Sequence, residues 1–346
     1  MDSFLEDIWE MRETLSGLGR AIVATDPDKI RLDQAVKSIL AYKPLLARIF
    51  KEVVSECHDM DVDQIEACIE GDVLISKVYV ESGISNAGER IDGLGTEAYL
   101  NGEGLDRYDI RTYLRLPGKP GAERVKILVN VEAQNDDRPG YDISLRALFY
   151  CCRMISAQQG VEFSTDADDP VKYGNIKKVY SIWICMGTAQ KRANSIEKYA
   201  LSRSMLAGSN DDNPRYDIMN AIIINISGRH DASGTDNKLI RMLTDLFDER
   251  IDGAGKVERL RGHGLRLTKK IESEVSDMCT YATAMENKGI EKGIEKGIEK
   301  GLGALVQSLK DYVKDFDSLY RAVTRNEVYK DVSREAVLKY YRQTAD

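Results

Sequence analysis

Apolar and polar positions alternate with period two along two neighbouring stretches of the chain. From Tyr108 to Leu116, Ile110, Leu114 and Leu116 share one face, and Asp109, Arg111, Tyr113 and Arg115 share the other. From Val125 to Gln134, Val125, Ile127, Val129, Val131 and Ala133 alternate with Lys126, Asn130, Glu132 and Gln134. Period-two alternation marks half-buried strands, and the intervening Pro117-Gly118-Lys119-Pro120-Gly121 is turn chemistry. An antiparallel hairpin with Leu116 opposite Val125 also sets Leu114 opposite Ile127 and Ile110 opposite Val131, so apolar meets apolar throughout. A one-residue slip would bury one strand's charges.

The remaining pattern is mostly helical before the hairpin and mixed after it. Residues 1–26 read as a helix followed by a loop. Arg31–Glu56 carries a helical recurrence through Ala35, Ile39, Leu40, Leu45, Leu46 and Ile49, with Pro44 as a break or kink. Asp63–Glu70 reads as a short helix ended by Gly71. Val73–Val80 is β-branched and fits a strand, with a helix as the alternative, and Ser82–Gly104 has loop composition. Past Pro139-Gly140, a helix is expected from about Asp142 to Gln158. On it Arg146, Tyr150 and Arg153 fall within a stripe of about 60°, and Leu145, Leu148, Phe149, Cys152 and Ile155 supply the apolar remainder that would pack on a sheet. Val179–Cys185 and Ile218–Ile226 are continuous apolar runs, as expected of buried strands. Lys191–Ser204 is ambiguous, and Thr235–Ile251 is an amphipathic helix.

Lys288–Leu302 repeats GIEK, with glycines at 289, 293, 297 and 301 and aliphatics at 290, 294, 298 and 302. On a helix this four-residue period drifts about 40° per repeat. Each glycine costs roughly 1 kcal/mol relative to alanine, so the segment is expected to be helical mainly where another helix covers its Ile stripe. It reads as a linker or self-associating arm. Leu305–Tyr341 reads as a small helical module with Leu305, Leu309, Tyr312, Val313 and Phe316 on one stripe and Ser333 as the N-cap of a last helix. The order of elements predicts an α/β fold divided into a main domain over 1–285, a repeat helix over 286–302 and a helical appendage over 303–346.

The hairpin register places Asp109 opposite Glu132, with Cβ atoms roughly 4.5–5.5 Å apart. Facing carboxylates raise each other's pKa unless a cation lies between them, and a hard divalent ion resolves that conflict. Gln134, two residues past Glu132, shares its face and can reach a bound water or a phosphate. The alternative is a solvated sheet face on which these carboxylates pair with Arg111 or Arg115. Arg146 is open to two readings as well, contact with a phosphate or an i,i+4 pair with Asp142.

Composition narrows the classes. The 346 residues are 42% hydrophobic and 31% charged, as in a globular chain, and no apolar run approaches the ~18 residues of a membrane span. The N-terminal MDSFLEDIWEM is acidic and reads as no signal peptide. The six cysteines form no CxxC, so free thiols and a cytoplasmic location are expected. The net charge of −8 disfavours nucleic acid mildly. Two stretches run the other way: 107–134 has six basic residues against three acidic, and 256–270 has six against one. Such stretches bind DNA on some acidic proteins and are merely solvated faces on others. Three scattered histidines exclude HExxH and zinc-finger spacing, and neither GxSxG nor GxxxxGK[ST] occurs.

Asp109, then VNVEAQ closing an apolar strand with Glu132-Ala133-Gln134, then PGYDISLRALFYCCRMISAQ, resembles the PD-(D/E)XK nuclease-family transposases, the recombination-promoting nucleases. The resemblance runs from about Leu32 to the GIEK repeats and is most specific over Asn130–Gln158. It implies a restriction-endonuclease-like core, a mixed sheet flanked by helices, acting on double-stranded DNA with Mg²⁺ or Mn²⁺. It further implies that Asp109 and Glu132 hold the metal, with Gln134 where the superfamily usually has lysine. Glu97 is a candidate for the additional acid such sites carry ahead of the aspartate, or else an ordinary loop acid. Arg111, Arg146 and Tyr150 are the candidates for substrate contact. The implied activity is that of an endonuclease in DNA recombination; the alternative is an inactive descendant serving as a DNA- or protein-binding module. The repeat tail also resembles those of this family.

Overall fold

The computed structural model describes residues 27–70, 73–75, 97–100, 104–107, 109–117, 125–134, 139–159, 162, 173–189, 191–210, 216–227, 234–313 and 315–342. The expected N-terminal helix lies outside these residues. Of the break or kink expected near Pro44, the structure has a break: two helices, α1 (Pro27–Leu40) and α2 (Lys43–Val53). The break falls at Ala41-Tyr42, which lets Pro44 sit in the first turn of α2, where its missing N–H leaves no helical bond unmade. Helix α3 (Val62–Cys68) follows, its start closed by the Asp61 N–H donating to Gln64 Oε1 at 2.9 Å.

Six strands make one sheet. Strand β1 (Leu74–Ile75) pairs with β4 (Ile110–Leu116), and β4 pairs with β5 (Val125–Gln134), both antiparallel. Strand β5 runs parallel to β6 (Lys178–Cys185), and β6 parallel to β8 (Met219–Asn225); β7 (Ser195–Ala200) closes the far edge antiparallel to β8. The hairpin has the register that its apolar pattern calls for, with Leu116 opposite Val125 and Ile110 opposite Val131. Part of the stretch expected as loop is instead strand: β2 (Glu97–Leu100) pairs with β3 (Gly104–Arg107) as a separate two-stranded sheet. The ambiguous 191–204 contains β7.

The sheet is covered on both faces, the arrangement expected where parallel strands are joined by helices. One face presents Ile110, Leu114, Ile127, Val129, Val131, Ile182 and Ile224 to α1, α2, α5 (Lys238–Phe247), α6 (Gly253–Gly262) and the first turns of α7 (Lys269–Lys310). The other presents Tyr113, Leu128, Trp183 and Ile223 to α4 (Ile143–Ser156). The hairpin is therefore not half-buried: Arg111, Tyr113, Asn130, Glu132 and Gln134 are all buried beside the apolar positions. Helix α4 is rotated from the sequence expectation, with Leu148 and Ile155 packed on the sheet side as expected but Leu145, Phe149 and Cys152 turned out. Tyr150 and Arg153 face inward with Ala147, Cys151 and Met154, while Leu145 and Phe149 are 64% and 51% exposed.

Contacts divide the chain into two compact units, Met1–Ala282 and Thr283–Asp346, with α7 running through the boundary. The second unit has its own core of Leu302, Val306, Leu319, Val323 and Val337, contributed by α7, α8 (Phe316–Thr324) and α9 (Arg334–Arg342). Ser333 Oγ accepts the Ala336 N–H and caps α9. Of the expected stripe, Leu305, Leu309, Val313 and Phe316 pack against this core and Tyr312 is exposed; they do not share one helix, because α7 ends at Lys310 and Asp315 caps a new one. The GIEK repeats are helical, and Ile290, Ile294 and Ile298 are exposed. No disulfide joins the six cysteines, and no helix among the described residues is long and apolar enough to cross a membrane.

Two substitutions separate core from uncovered stripe. Ile182→Ala, at a fully buried position of the central strand, is expected to cost about 2–5 kcal/mol in urea unfolding. Ile294→Ala, on the exposed repeat, is expected to stay within about 0.5 kcal/mol of wild type, since alanine is the better helix former. A loss at Ile294 comparable to that at Ile182 would mean that another chain covers the stripe in solution.

Candidate active site

The parallel strands β5, β6 and β8 end side by side at Gln134, Cys185 and Asn225. Carboxyl ends of strands in open α/β sheets are where ligands bind, because loops and helix N-termini converge there. The β4–β5 register brings Asp109 to this edge beside Glu132. The Asp109 N–H donates to Glu132 Oε1 at 3.1 Å, and the Ala133 N–H donates to Asp109 Oδ2 at 3.1 Å. Asn130 Nδ2 donates to Glu132 Oε1 at 3.0 Å. Asp109 and Glu132 therefore face each other across the strand ends, as the sequence register implies, and they do not pair with Arg111 or Arg115 there.

A third element enters from outside the hairpin. Lys37 of α1, only 2% exposed, places Nζ 2.9 Å from Asp109 Oδ1 and 2.8 Å from Asp33 Oδ2. Neither Lys37 nor Asp33 stood out in the sequence. The signal was present: a lysine three residues before Leu40 and one after Val36 lies on the buried face of the helix, with an aspartate one turn earlier.

The titration behaviour follows from burial and charge. Burial first, then the Asp109 charge, hold the Glu132 carboxyl well above the ordinary glutamate range; the bonds from Asp109 N–H and Asn130 and the Arg146 charge oppose this. Burial likewise pushes Asp33 up to about 6 against the pull of Lys37. Burial works against the charge on Lys37, but Asp109 and Asp33 together outweigh it and raise the ammonium above the usual lysine range.

On the α4 side, Arg146 Nη2 donates to Tyr150 Oη at 2.9 Å, and its guanidinium lies 4.7 Å from the Tyr141 ring centroid and 5.7 Å from that of Trp183. Asp142 accepts from the Ser144 and Leu145 N–H groups as the N-cap of α4, so Arg146 is aimed into the fold by aromatic rings, as cations over π faces are, while Asp142 serves the helix end. Tyr150 is buried against Trp183 and orients Arg146; Arg111 is buried within β4 opposite Asn130. Tyr141 Oη donates to Gln134 Oε1 at 3.4 Å. Tyr141 also borders a cavity of about 590 Å³ lined by Ser144, Cys185, Glu197, Tyr199 and Asn225. Glu97 opens β2 opposite Arg107, outside the six-stranded sheet.

Among the described residues, five basic side chains of these two stretches stand in ion pairs. Arg259 meets Asp245 at 2.8 Å, Arg266 meets Asp63 and Glu66 at 3.0 and 2.9 Å, Arg261 pairs with Glu272, and Lys256 is buried. In the hairpin, Arg115 pairs with Glu70 and Lys126 with Glu162. Lys269 and Lys270 remain exposed at the start of α7. Among the described residues no group of three or more His, Cys, Asp or Glu side chains is gathered as a metal cage. No family model matches the chain, and neither a curated protein nor a solved structure does.

The raised Glu132 pKa sets a pH dependence. A carboxyl whose folded pKa exceeds its unfolded value binds its proton more tightly in the fold. Its contribution is therefore present at low pH and lost as pH rises from the ordinary value of 4.5 through the raised one. Glu132→Gln removes this loss. The variant is expected to gain stability over wild type progressively from pH 4 upwards, read as denaturation midpoints across pH. A difference independent of pH would show that Glu132 does not titrate above the ordinary range.

Proposed function

We propose that the chain is a metal-dependent DNA endonuclease with a restriction-endonuclease-like core, of the PD-(D/E)XK transposase kind, hydrolysing phosphodiesters in DNA recombination. The observation that carries this reading is the pair of acids, Asp109 and Glu132, joined by hydrogen bonds at the carboxyl ends of parallel strands. The donor set suits Mg²⁺ or Mn²⁺. Mg²⁺ is usually held by one or two carboxylates completed by waters and substrate phosphate rather than by an all-protein cage, and the Glu132 carboxyl, held above its ordinary range first by burial and then by the Asp109 charge, is a partner such an ion favours.

When bound, the ion polarises a phosphate and lowers the pKa of a water. The chain's own groups then divide the remaining work. Asp109 and Glu132 would hold the ion, and the Asn130 and backbone donors fix Glu132. Gln134, held by Tyr141, orients a water or a non-bridging oxygen. Arg146 supplies positive charge on the α4 side. His58 bonds the Glu52 carbonyl and His263 bonds Asp245, so neither serves as a base here. The cavity bordered by Tyr141 would admit a substrate group flanking the scissile phosphate.

A second reading, an inactive DNA- or protein-binding module, is favoured by one observation: Asp109 already has a cation in Lys37. Incubation of pure protein with supercoiled plasmid and Mg²⁺ or Mn²⁺ separates the two. Nicking is expected from wild type, and Glu132→Ala and Asp109→Ala are expected to lower it by at least about 100-fold, the scale of losing a group essential to the transition state. Calorimetry with Mn²⁺ should show binding by wild type and its loss in Asp109→Ala. Equal affinity in the two proteins would remove the metal site, and an intact plasmid with all three would leave the binding module.

A further inference from the structure

We propose that Lys37 is the catalytic cation of this site, carried by α1 in place of a lysine at position 134 on β5. The inference rests on the nuclease reading and deepens it. Three features of the geometry support it.

The first is position. Lys37 belongs to a different element from the hairpin, yet its Nζ contacts the same Asp109 whose carboxylate bonds the Ala133 N–H and whose own N–H bonds Glu132. Its charge is thus delivered to the acids that would hold an ion, while Gln134 on the strand has no charge to offer.

The second is rigidity. Asp33 and Asp109 grip the ammonium from two sides at 2.8 and 2.9 Å. The ammonium carries three N–H donors, and the proposal assigns one of them to a non-bridging oxygen of the scissile phosphate. A donor fixed beforehand reorganises little as charge develops, which is what makes such groups effective.

The third is the cost of the arrangement. A buried ion pair is often no more stabilising than apolar residues of the same volume. Lys37 lies among Val36, Ile39 and Leu40, and a leucine there would suit the core. Stability alone therefore gives little reason for an ammonium at this position.

In the reaction, a water oxygen bonds to phosphorus and one bridging P–O bond breaks. The proton lost by the water goes to solvent, and the leaving oxygen takes a proton from solvent. Lys37 exchanges no proton; it stabilises the extra negative charge on the phosphoryl oxygens as the new bond forms.

Four proteins test this: wild type, Lys37→Met, Lys37→Met with Asp33→Asn, and Lys37→Met with Gln134→Lys. The Asp33→Asn combination removes a carboxylate together with the cation, so it serves if Lys37→Met alone does not fold. Single-turnover cleavage with Mn²⁺ is expected to fall by about 10²–10³-fold on loss of Lys37, the range for one preorganised charge-stabilising donor. Mn²⁺ binding by calorimetry is expected to persist, because Asp109 and Glu132 remain. DNA affinity in EDTA, by fluorescence anisotropy, is expected to weaken about tenfold, the scale of one charged hydrogen bond. Gln134→Lys is expected to recover at least about tenfold of the lost rate, since it returns a cation to the same edge. A role confined to holding α1 in place predicts no recovery, and that result overturns the proposal, as does a Lys37→Met protein that cleaves and binds DNA like wild type. Wild type that binds Mn²⁺ and leaves DNA intact rejects the nuclease reading, and the assignment of Lys37 with it.

Discussion

Charge taken out of water at one sheet edge is the constraint that organises this fold. Glu132 is 6% exposed and Lys37 is 2% exposed, and leaving either without partners would cost several kcal/mol. Their partners are Asp33 from α1, Asp109 from the residue before β4, and Asn130 from β5, with the Ala133 N–H of β5 holding Asp109 in turn. A shift of the hairpin by two residues would keep the apolar faces matched and still separate Asp109 from Glu132. A rotation of α1 would strand Lys37. The apolar pattern thus fixes the parity of the pairing, and the buried charges select one register within that parity.

The hairpin was legible because period two reports directly which side chains share a face. What periodicity does not report is how many faces are covered. Strand β5 has β6 on its other side and α4 above it, so Asn130 and Gln134 are buried beside the aliphatics. The same limit explains α4. Its stripes were readable, but Arg146 stacked on Tyr141, Tyr150 and Trp183 makes a polar-looking stripe the inner one and leaves Leu145 and Phe149 outside. Local charge counts fail for a related reason. Arg266 is neutralised by Asp63, some 203 residues away, so a basic run in sequence need not be a basic patch in space.

The GIEK helix shows tertiary context outweighing propensity. Four glycines and an uncovered Ile stripe make a poor isolated helix, yet the repeats continue a helix whose ends are both anchored. Ile271, Val275 and Met278 lie in the first unit's core, and Leu302 and Val306 lie in the second's. Nucleation is the costly step in helix formation, and packed turns on either side supply it, leaving the repeats only to propagate.

A cation carried by a helix, as in the proposed site, depends on other residues than one carried by the sheet. A lysine on β5 two residues past Glu132 would be placed by the sheet alone. Lys37 is placed by Asp33 and by Asp109, so Asp109 has two tasks in the proposed site: it anchors the ammonium through Oδ1 and contributes a carboxylate to the ion. Its Oδ2 is meanwhile occupied by the Ala133 N–H. Position of the cation and affinity for the ion are then coupled through one side chain, whereas a strand-borne lysine would leave them separable. Asp33 has no such second task. In this geometry it is the residue through which the placement of Lys37 can be altered without touching a ligand of the ion.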